Sequence, residues 1–286
     1  MNRQYAVLYN RSLESVFGTQ AHEVATALDC PCLYTDELLF RKDSEITFEK
    51  CVFFDKDVIT GLRLESMGIR LYNNIGSIEL CDDKRRTCEL LRRDGSIPKT
   101  VSSPLFFGED DLYWQNFVFQ AAETLGFPLV AKLAFGSLGK QVYLLNTEEE
   151  LRQWCNENKN QPFLLQEFIA SSRGRDLRIY VVDGVAVAAM ERFNPSDFRS
   201  NIGSGGKGKK AEAPSEFVQT AIDACALLGL DFGGVDLLYG PKGEPIICEV
   251  NSNALFQELN AVCDVKTQEF IAEAVRKENN CSSLFF

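Results

Sequence analysis

Two apolar runs in this chain carry oxygen-bearing side chains at a spacing that suits a hard cation. They are Gly233-Gly234-Val235-Asp236-Leu237-Leu238-Tyr239 and, beyond Gly240-Pro241-Lys242-Gly243, Ile246-Ile247-Cys248-Glu249-Val250-Asn251. The glycines and proline between them predict a hairpin. A turn centred on Lys242-Gly243 sets Pro241 against Glu244 and, counting outward, Asp236 against Glu249. Side chains alternate along a strand, so Asn251 shares the face of Glu249. Two carboxylates and an amide oxygen fit magnesium, which leaves its remaining positions to water and phosphate oxygens. The same residues also fit the solvated face of an edge hairpin, and the hairpin alone leaves both readings open.

The elements that must position this hairpin form three units. Residues 5–80 alternate strand candidates (Tyr5 to Tyr9, Cys51 to Asp55, Ile69 to Tyr72) with helical stretches (Ala21 to Leu28, Ile59 to Met67), which predicts a small parallel α/β unit. No Gly-x-Gly-x-x-Gly turn follows its first strand, so it lacks a dinucleotide cradle. A charged helix from Asp82 to about Arg93, ended by Asp94-Gly95, opens the second unit. Helix Trp114 to Leu125 follows, then strand Leu129 to Leu133, the loop Ala134-Phe135-Gly136-Ser137-Leu138-Gly139-Lys140, strand Gln141 to Leu145 and helix Thr147 to Asn158. A glycine loop between strands is a flap whose backbone N–H groups can close over phosphates. The third unit begins at Phe163 and holds a hairpin turning at Asp183-Gly184, a strong turn signal. The lysine- and glycine-rich run Gly203 to Lys210 is expected as a loop, either solvated or a mobile clamp over substrate carboxylates. Helix Ser215 to Leu228 leads into the oxygen-bearing hairpin, and helix Thr267 to Lys277 closes the unit.

Composition narrows the chemistry. At 286 residues and 45% hydrophobic residues the chain can bury two or three lobes, while a net charge of −11 argues against general nucleic-acid binding. No segment approaches the roughly 20 apolar residues that cross a bilayer, and no signal-peptide core follows Met1, so a soluble, cytoplasmic protein without a membrane partner is expected. Ten scattered cysteines without a Cys-x-x-Cys pair, and a single histidine, His22, argue against structural zinc and against any histidine-based triad.

Taken in order, the Lys132 strand and Gly136-Ser137 flap, Gln166-Glu167-Phe168-Ile169, Asp176-Leu177-Arg178, Phe198-Arg199-Ser200-Asn201, Asp236 and Glu249-Val250-Asn251 resemble the ATP-grasp superfamily and, within it, the RimK-type ligases. The resemblance runs from about Asp83 onward. It implies an α/β fold with α+β lobes: a Rossmann-like domain preceding the grasp over 1–82, a central lobe with the flap over 83–162, and a C-terminal lobe with the magnesium site over 163–286. It further implies that Lys84, Lys132 and Ser137 meet the nucleotide phosphates, that Gln166, Glu167, Phe168 and Ile169 link the lobes and read the adenine edge, and that Asp176 holds the ribose. Arg199 and Asn201 would face the triphosphate. Asp236, Glu249 and Asn251 would bind magnesium, two ions in all, with manganese as a substitute. Arg178, Arg192 and Arg199 would act in catalysis, although a bulge-free hairpin at Asp183-Gly184 sets Arg178 opposite Ala189 and turns Arg192 to the other face.

The implied reaction joins a carboxylate to an amine through an acyl phosphate, with ADP and phosphate released. An amino acid such as L-glutamate is one expected substrate, a peptide, protein terminus or small metabolite the other, in an enzyme of a kind that often forms dimers or tetramers. A phosphotransferase or a silent nucleotide-binding module would carry similar residues. Two departures stand out: Gln141 replaces the last glycine of the flap, and Ser252-Asn253-Ala254-Leu255-Phe256 replaces the Ser-Ser-Pro-Gly that follows the magnesium asparagine in many relatives.

Overall fold

A computed structural model describes residues 4–92, 97–106, 111–136, 139 and 141–277, apart from the Ser204 side chain. The expected helix end at Asp94-Gly95 and flap residue Ser137 lie outside these residues. In chain order the elements are β1 (Tyr5–Tyr9), α1 (Glu14–Leu28), β2 (Cys32–Tyr34), β3 (Lys50–Phe54), α2 (Val58–Ser66), β4 (Arg70–Tyr72), α3 (Ile75–Asp82), α4 (Lys84–Leu91) and β5 (Thr100–Ser102). Then come α5 (Asp111–Leu125), β6 (Leu129–Leu133), β7 (Val142–Leu145), α6 (Glu148–Asn158), β8 (Phe163–Glu167), β9 (Arg175–Val182), β10 (Val185–Phe193) and β11 (Lys207–Lys210). The last are α7 (Ser215–Leu227), β12 (Phe232–Tyr239), β13 (Pro245–Asn251), α8 (Gln257–Cys263) and α9 (Thr267–Arg276).

The strands form three sheets. The N-terminal one is parallel, as the alternating pattern predicts, in the order β2-β1-β3-β4, with β2 an edge strand that the pattern does not mark. Its β1 is buried on both faces: α2 and α3 cover one, while α1, α8 and α9 fill the gap between the other and the five-stranded C-terminal sheet. One continuous core therefore unites the first and last units, and Asn73 pins the same seam. Fully buried, it donates from Nδ2 to the carbonyls of Phe232 and Ser252, each at 2.9 Å, and accepts from the Asp231 N–H at 2.7 Å.

The central sheet is antiparallel in the order β5-β8-β6-β7. Strand β8, read from the sequence as the start of the third unit, pairs with β5 and β6 and so belongs to this sheet. Its Phe163 is fully buried, and the ring lies 5.1 Å from that of Trp154 and 6.1 Å from those of Trp114 and Phe117.

The C-terminal sheet runs β11-β10-β9-β12-β13. Asp183 and Gly184 both have positive φ, as the tight hairpin turn between β9 and β10 requires. The expected loop at Lys207 to Lys210 is instead an edge strand, β11, antiparallel to β10. The ladder hydrogen bonds to β10 override a composition poor in strand formers, and its lysines keep the outer edge charged. No helix among the described residues is long and apolar enough to cross a membrane.

Phe163→Ala removes the ring on which three other aromatics converge. It should lower unfolding stability by about 3–5 kcal/mol, read as a shift of the urea midpoint, and a loss below about 1 kcal/mol would show that the cluster does not support the central lobe.

Candidate active site

The charged residues of the C-terminal sheet depend on two β-bulges. In the β9–β10 hairpin, Ala186 pairs with Val181 but Ala188 pairs with Tyr180, so Val187 is an extra residue. Beyond it the register is one residue from the bulge-free expectation: Arg178 faces Met190 rather than Ala189, and Arg192 faces Asp176. Arg192 thus lies on the same face as Arg178, which corrects its expected outward placement. In the β12–β13 hairpin the loop is the three residues Pro241, Lys242 and Gly243, closed by a 2.8 Å bond from the Gly240 N–H to the Glu244 carbonyl. That displaces the expected register by one, and a bulge at Cys248 restores it, so Asp236 does face Glu249.

Across the sheet Met190, Arg178, Asp236 and Glu249 consequently form one rank. Arg178 donates from Nε and Nη2 to the two Asp236 oxygens at 2.7 and 2.8 Å. Arg192 makes the same fork onto Asp176 at 2.7 and 2.5 Å, and its Nη2 also lies 2.9 Å from Asp236. Ser200 donates to Asp176 at 2.5 Å. Burial opposes the Asp236 charge, but Arg178 and Arg192 outweigh it and hold the carboxyl at about 2. Burial likewise opposes the Arg192 charge, and Asp236 and Asp176 more than offset it, raising its pKa. Gly234 keeps this floor open, because a Cβ there would come within 2.6 Å of Ala254.

The central lobe faces this floor across a cleft lined by Lys84, Lys132, Gln166, Glu167, Phe168, Ile169, Asp176, Arg192, Arg199, Asn201, Asp236 and Glu249, bringing most of the expected site residues together. Lys84, at the start of α4, reaches the Gly136 carbonyl at 2.7 Å and lies 3.4 Å from Glu249. Arg199 donates to the Gly139 carbonyl at 2.8 Å and pairs with Asp197, so Gly139 meets the opposite lobe. Phe168 and Ile169 lie beyond the last ladder residue of β8, where the chain leaves the central sheet. Gln166 turns its side chain onto Thr100 at 2.9 Å, and Glu167 accepts from the Lys99 N–H at 2.7 Å. The carboxylate of Asp176 is engaged by Arg192 and Ser200. Gln141, the departure in the flap, folds its side chain against Gly136 and lines the cleft with a buried Oε1 that lacks a partner among the described residues.

A second cavity, about 750 Å3, opens beside the cleft. Arg178 and Asn251 line it, and Arg192, Asn201 and Glu249 line both spaces. The sequence reading missed Cys248, whose Sγ lies 3.7 Å from the Lys132 ammonium. Strict alternation would hide it behind Glu249, and only the bulge brings both into the cleft. Burial raises its thiol pKa, with Lys132 acting the other way.

A protein-family model described as the RimK-like ATP-grasp domain matches residues 81–275. This chain belongs to the RimK-like ATP-grasp family. Beta-citrylglutamate synthase B of Danio rerio is 32% identical over 224 residues, covering 77% of this chain and 54% of that protein. A probable alpha-L-glutamate ligase of Maridesulfovibrio salexigens is 30% identical over 246 residues, 85% of this chain and 76% of that protein. The chain spans about half the length of the animal synthases it matches. Among solved structures, D-alanine–D-alanine ligase from Bacillus anthracis complexed with ATP superposes with a TM-score of 0.70 at 18% identity, covering 95% of each chain, which shows a shared fold.

In this RimK-like site the donor set fits magnesium in a limited way. Glu249 and Asn251 share a face with Asp236, and the buried Nδ2 of Asn251 has no partner among the described residues. No group of three or more His, Cys, Asp or Glu among the described residues could hold a metal, so the ion would lean on Glu249, the Asn251 oxygen and phosphate oxygens.

Asp236→Asn leaves the part-buried Arg178 guanidinium without its carboxylate and Arg192 with Asp176 alone, and should cost about 3–5 kcal/mol of stability at pH 7. Because the folded carboxyl lies at about 2, below its ordinary value near 3.9, its contribution is present above about pH 4 and lost as pH falls toward 2. Urea unfolding from pH 6 to 2 should show the wild type losing its advantage over Asp236→Asn across that window, and parallel curves would refute the assignment.

Proposed function

We propose that this protein is an ATP-dependent ligase that joins a carboxylate to an amine through an acyl phosphate, releases ADP and phosphate, and takes an amino acid such as L-glutamate as one substrate. The observation that carries this reading is the junction at which Arg192, Asn201 and Glu249 line both the cleft and the 750 Å3 cavity. A phosphate chain in the cleft and a carboxylate in the cavity would meet there. The glutamate assignment draws on the names of the two relatives.

A carboxylate does not condense with an amine in water unaided. Its oxygen first attacks the γ-phosphorus, the bond to the bridging oxygen breaks and ADP leaves. Lys84, Lys132 and Arg199 offset charge on the phosphates, and Asn201 orients them. Magnesium, held by Glu249, Asn251 and phosphate oxygens, would supply further charge neutralisation. The amine then attacks the acyl carbon, the tetrahedral oxyanion forms, and phosphate departs with the electron pair of the C–O bond while the ammonium proton passes to solvent. Arg178 and Arg192 each commit Nε and Nη2 to carboxylates, and their Nη1 groups are the donors left for that oxyanion. Closure of the glycine loop on Arg199 would keep water from the acyl phosphate.

ADP and phosphate release from Mg-ATP should be stimulated by a matched carboxylate–amine pair, with mass spectrometry finding a product one water lighter than the summed substrates. Glu249→Ala should slow release by about 10²–10³-fold. A stable phosphorylated product would make the protein a phosphotransferase instead.

A further inference from the structure

Of the three side chains expected to hold a metal, one carboxylate is open to it, and a lysine lies against that carboxylate. Asp236 accepts from Arg178 on both oxygens and also touches Arg192. Glu249 is therefore the carboxylate left to meet an ion, with Asn251 two residues on along the same face. Magnesium takes one or two carboxylates and completes its octahedron with water and phosphate oxygens. A single carboxylate and an amide make a weak seat for an ion that arrives without phosphate.

Glu249 is itself engaged. Its Oε1 lies 3.4 Å from the Lys84 ammonium, and the two side chains keep 25% and 14% of their surface exposed, so the pair can open. The central lobe delivers Lys84 to this point. Asp83 caps α4, accepting from the Arg85 N–H at 3.0 Å, and the Lys84 N–H donates to the Ala134 carbonyl at 3.1 Å. The Lys84 Nζ donates to the Gly136 carbonyl at 2.7 Å, so backbone and side chain are both tied to the root of the glycine loop. A lysine in the first turn of a helix is set against the helix dipole, which favours acids there, and helix stability does not account for the position. The ammonium thus joins two acceptors from opposite sides of the cleft, a carbonyl of the central lobe and the carboxylate of β13.

A divalent ion on Glu249 would sit about 2.0–2.1 Å from its oxygen and repel the ammonium already there. Phosphates resolve the conflict, because they offer the ammonium another anion and offer the ion further oxygens. Resting on the ligase reading, we infer that Lys84 gates the metal site: it holds Glu249 against free divalent cations and yields it when phosphates take the ammonium. The protein selects the metal–nucleotide complex, and metal and nucleotide favour one another through Lys84 beyond the chelation between them.

The test counts free Mn2+ by its paramagnetic resonance signal while the protein is titrated without nucleotide. Lys84→Gln should bind Mn2+ about five- to tenfold more tightly than the wild type, and the gain should persist in about 0.3 M KCl, where distant charges are screened. Lys84→Arg keeps the cation and should stay within about twofold of the wild type. Adding Glu249→Gln to Lys84→Gln should abolish the gain. Reciprocally, in EDTA, Glu249→Gln should tighten metal-free ADP about fivefold, and by less than about twofold once Lys84 is replaced by Gln. Mn2+ affinity that is unchanged or weaker in Lys84→Gln, or undetectable in both proteins at about 10 mM, would overturn the inference, as would a gain that survives Glu249→Gln or additive effects on ADP. Failure of the wild type to bind ADP would instead sink the ligase reading, and the titrations without nucleotide would still decide the role of Lys84.

Discussion

The structure of the site depends on four charges set side by side, three of them buried and the fourth, Arg178, nearly so. Asp236 is gripped by Arg178 and touched by Arg192, which in turn grips Asp176. Removing any one would leave a desolvated charge uncompensated, at several kcal/mol, so the set is tolerable only when complete. Its members come from β9, β10 and β12, and a slip of any strand by one residue would turn its member to the opposite face. Sheet register and charge balance are therefore mutually conditional. The planar forks also fix orientation, which a lysine in place of either arginine could not do.

Rigidity on this floor contrasts with the contacts opposite. Among the described residues of the glycine loop, Gly139 meets the C-terminal lobe through one hydrogen bond, from Arg199 to its carbonyl, worth about 1 kcal/mol net. The first and last units, by comparison, share a continuous apolar core. The N-terminal unit is accordingly a fixed wall of the 750 Å3 cavity.

The sequence makes legible those features that follow from period and punctuation. The parallel α/β character of the first unit, the Asp183-Gly184 turn and the meeting of Asp236 with Glu249 can all be read from it. Counting outward from the turn finds the last pairing because two irregularities, a three-residue loop and a bulge at Cys248, cancel. No such cancellation occurs at Val187, so bulge-free counting turns Arg192 the wrong way. Bulges leave little trace in a run of alternating alanines and valines such as Val185 to Ala189, because neither face loses hydrophobicity. Strand β11 was hidden for a different reason: its lysines and glycine are poor strand formers, and only the free edge of β10 recruits them. The placement of β8 in the central sheet is a long-range pairing that local pattern does not encode.

The bulges at Val187 and Cys248 also bear on how this chain can diverge. Each acts as a parity bit: every residue distal to it changes face if the extra residue is gained or lost. Substitutions within β9, β10, β12 and β13 alter one side chain at a time, whereas a single-codon deletion in β10 would withdraw Arg192 from Asp176 and Asp236 at a stroke. Lineages carrying this site should thus accumulate exchanges freely in these strands while conserving their lengths, with insertions and deletions channelled into loops such as Pro241-Lys242-Gly243.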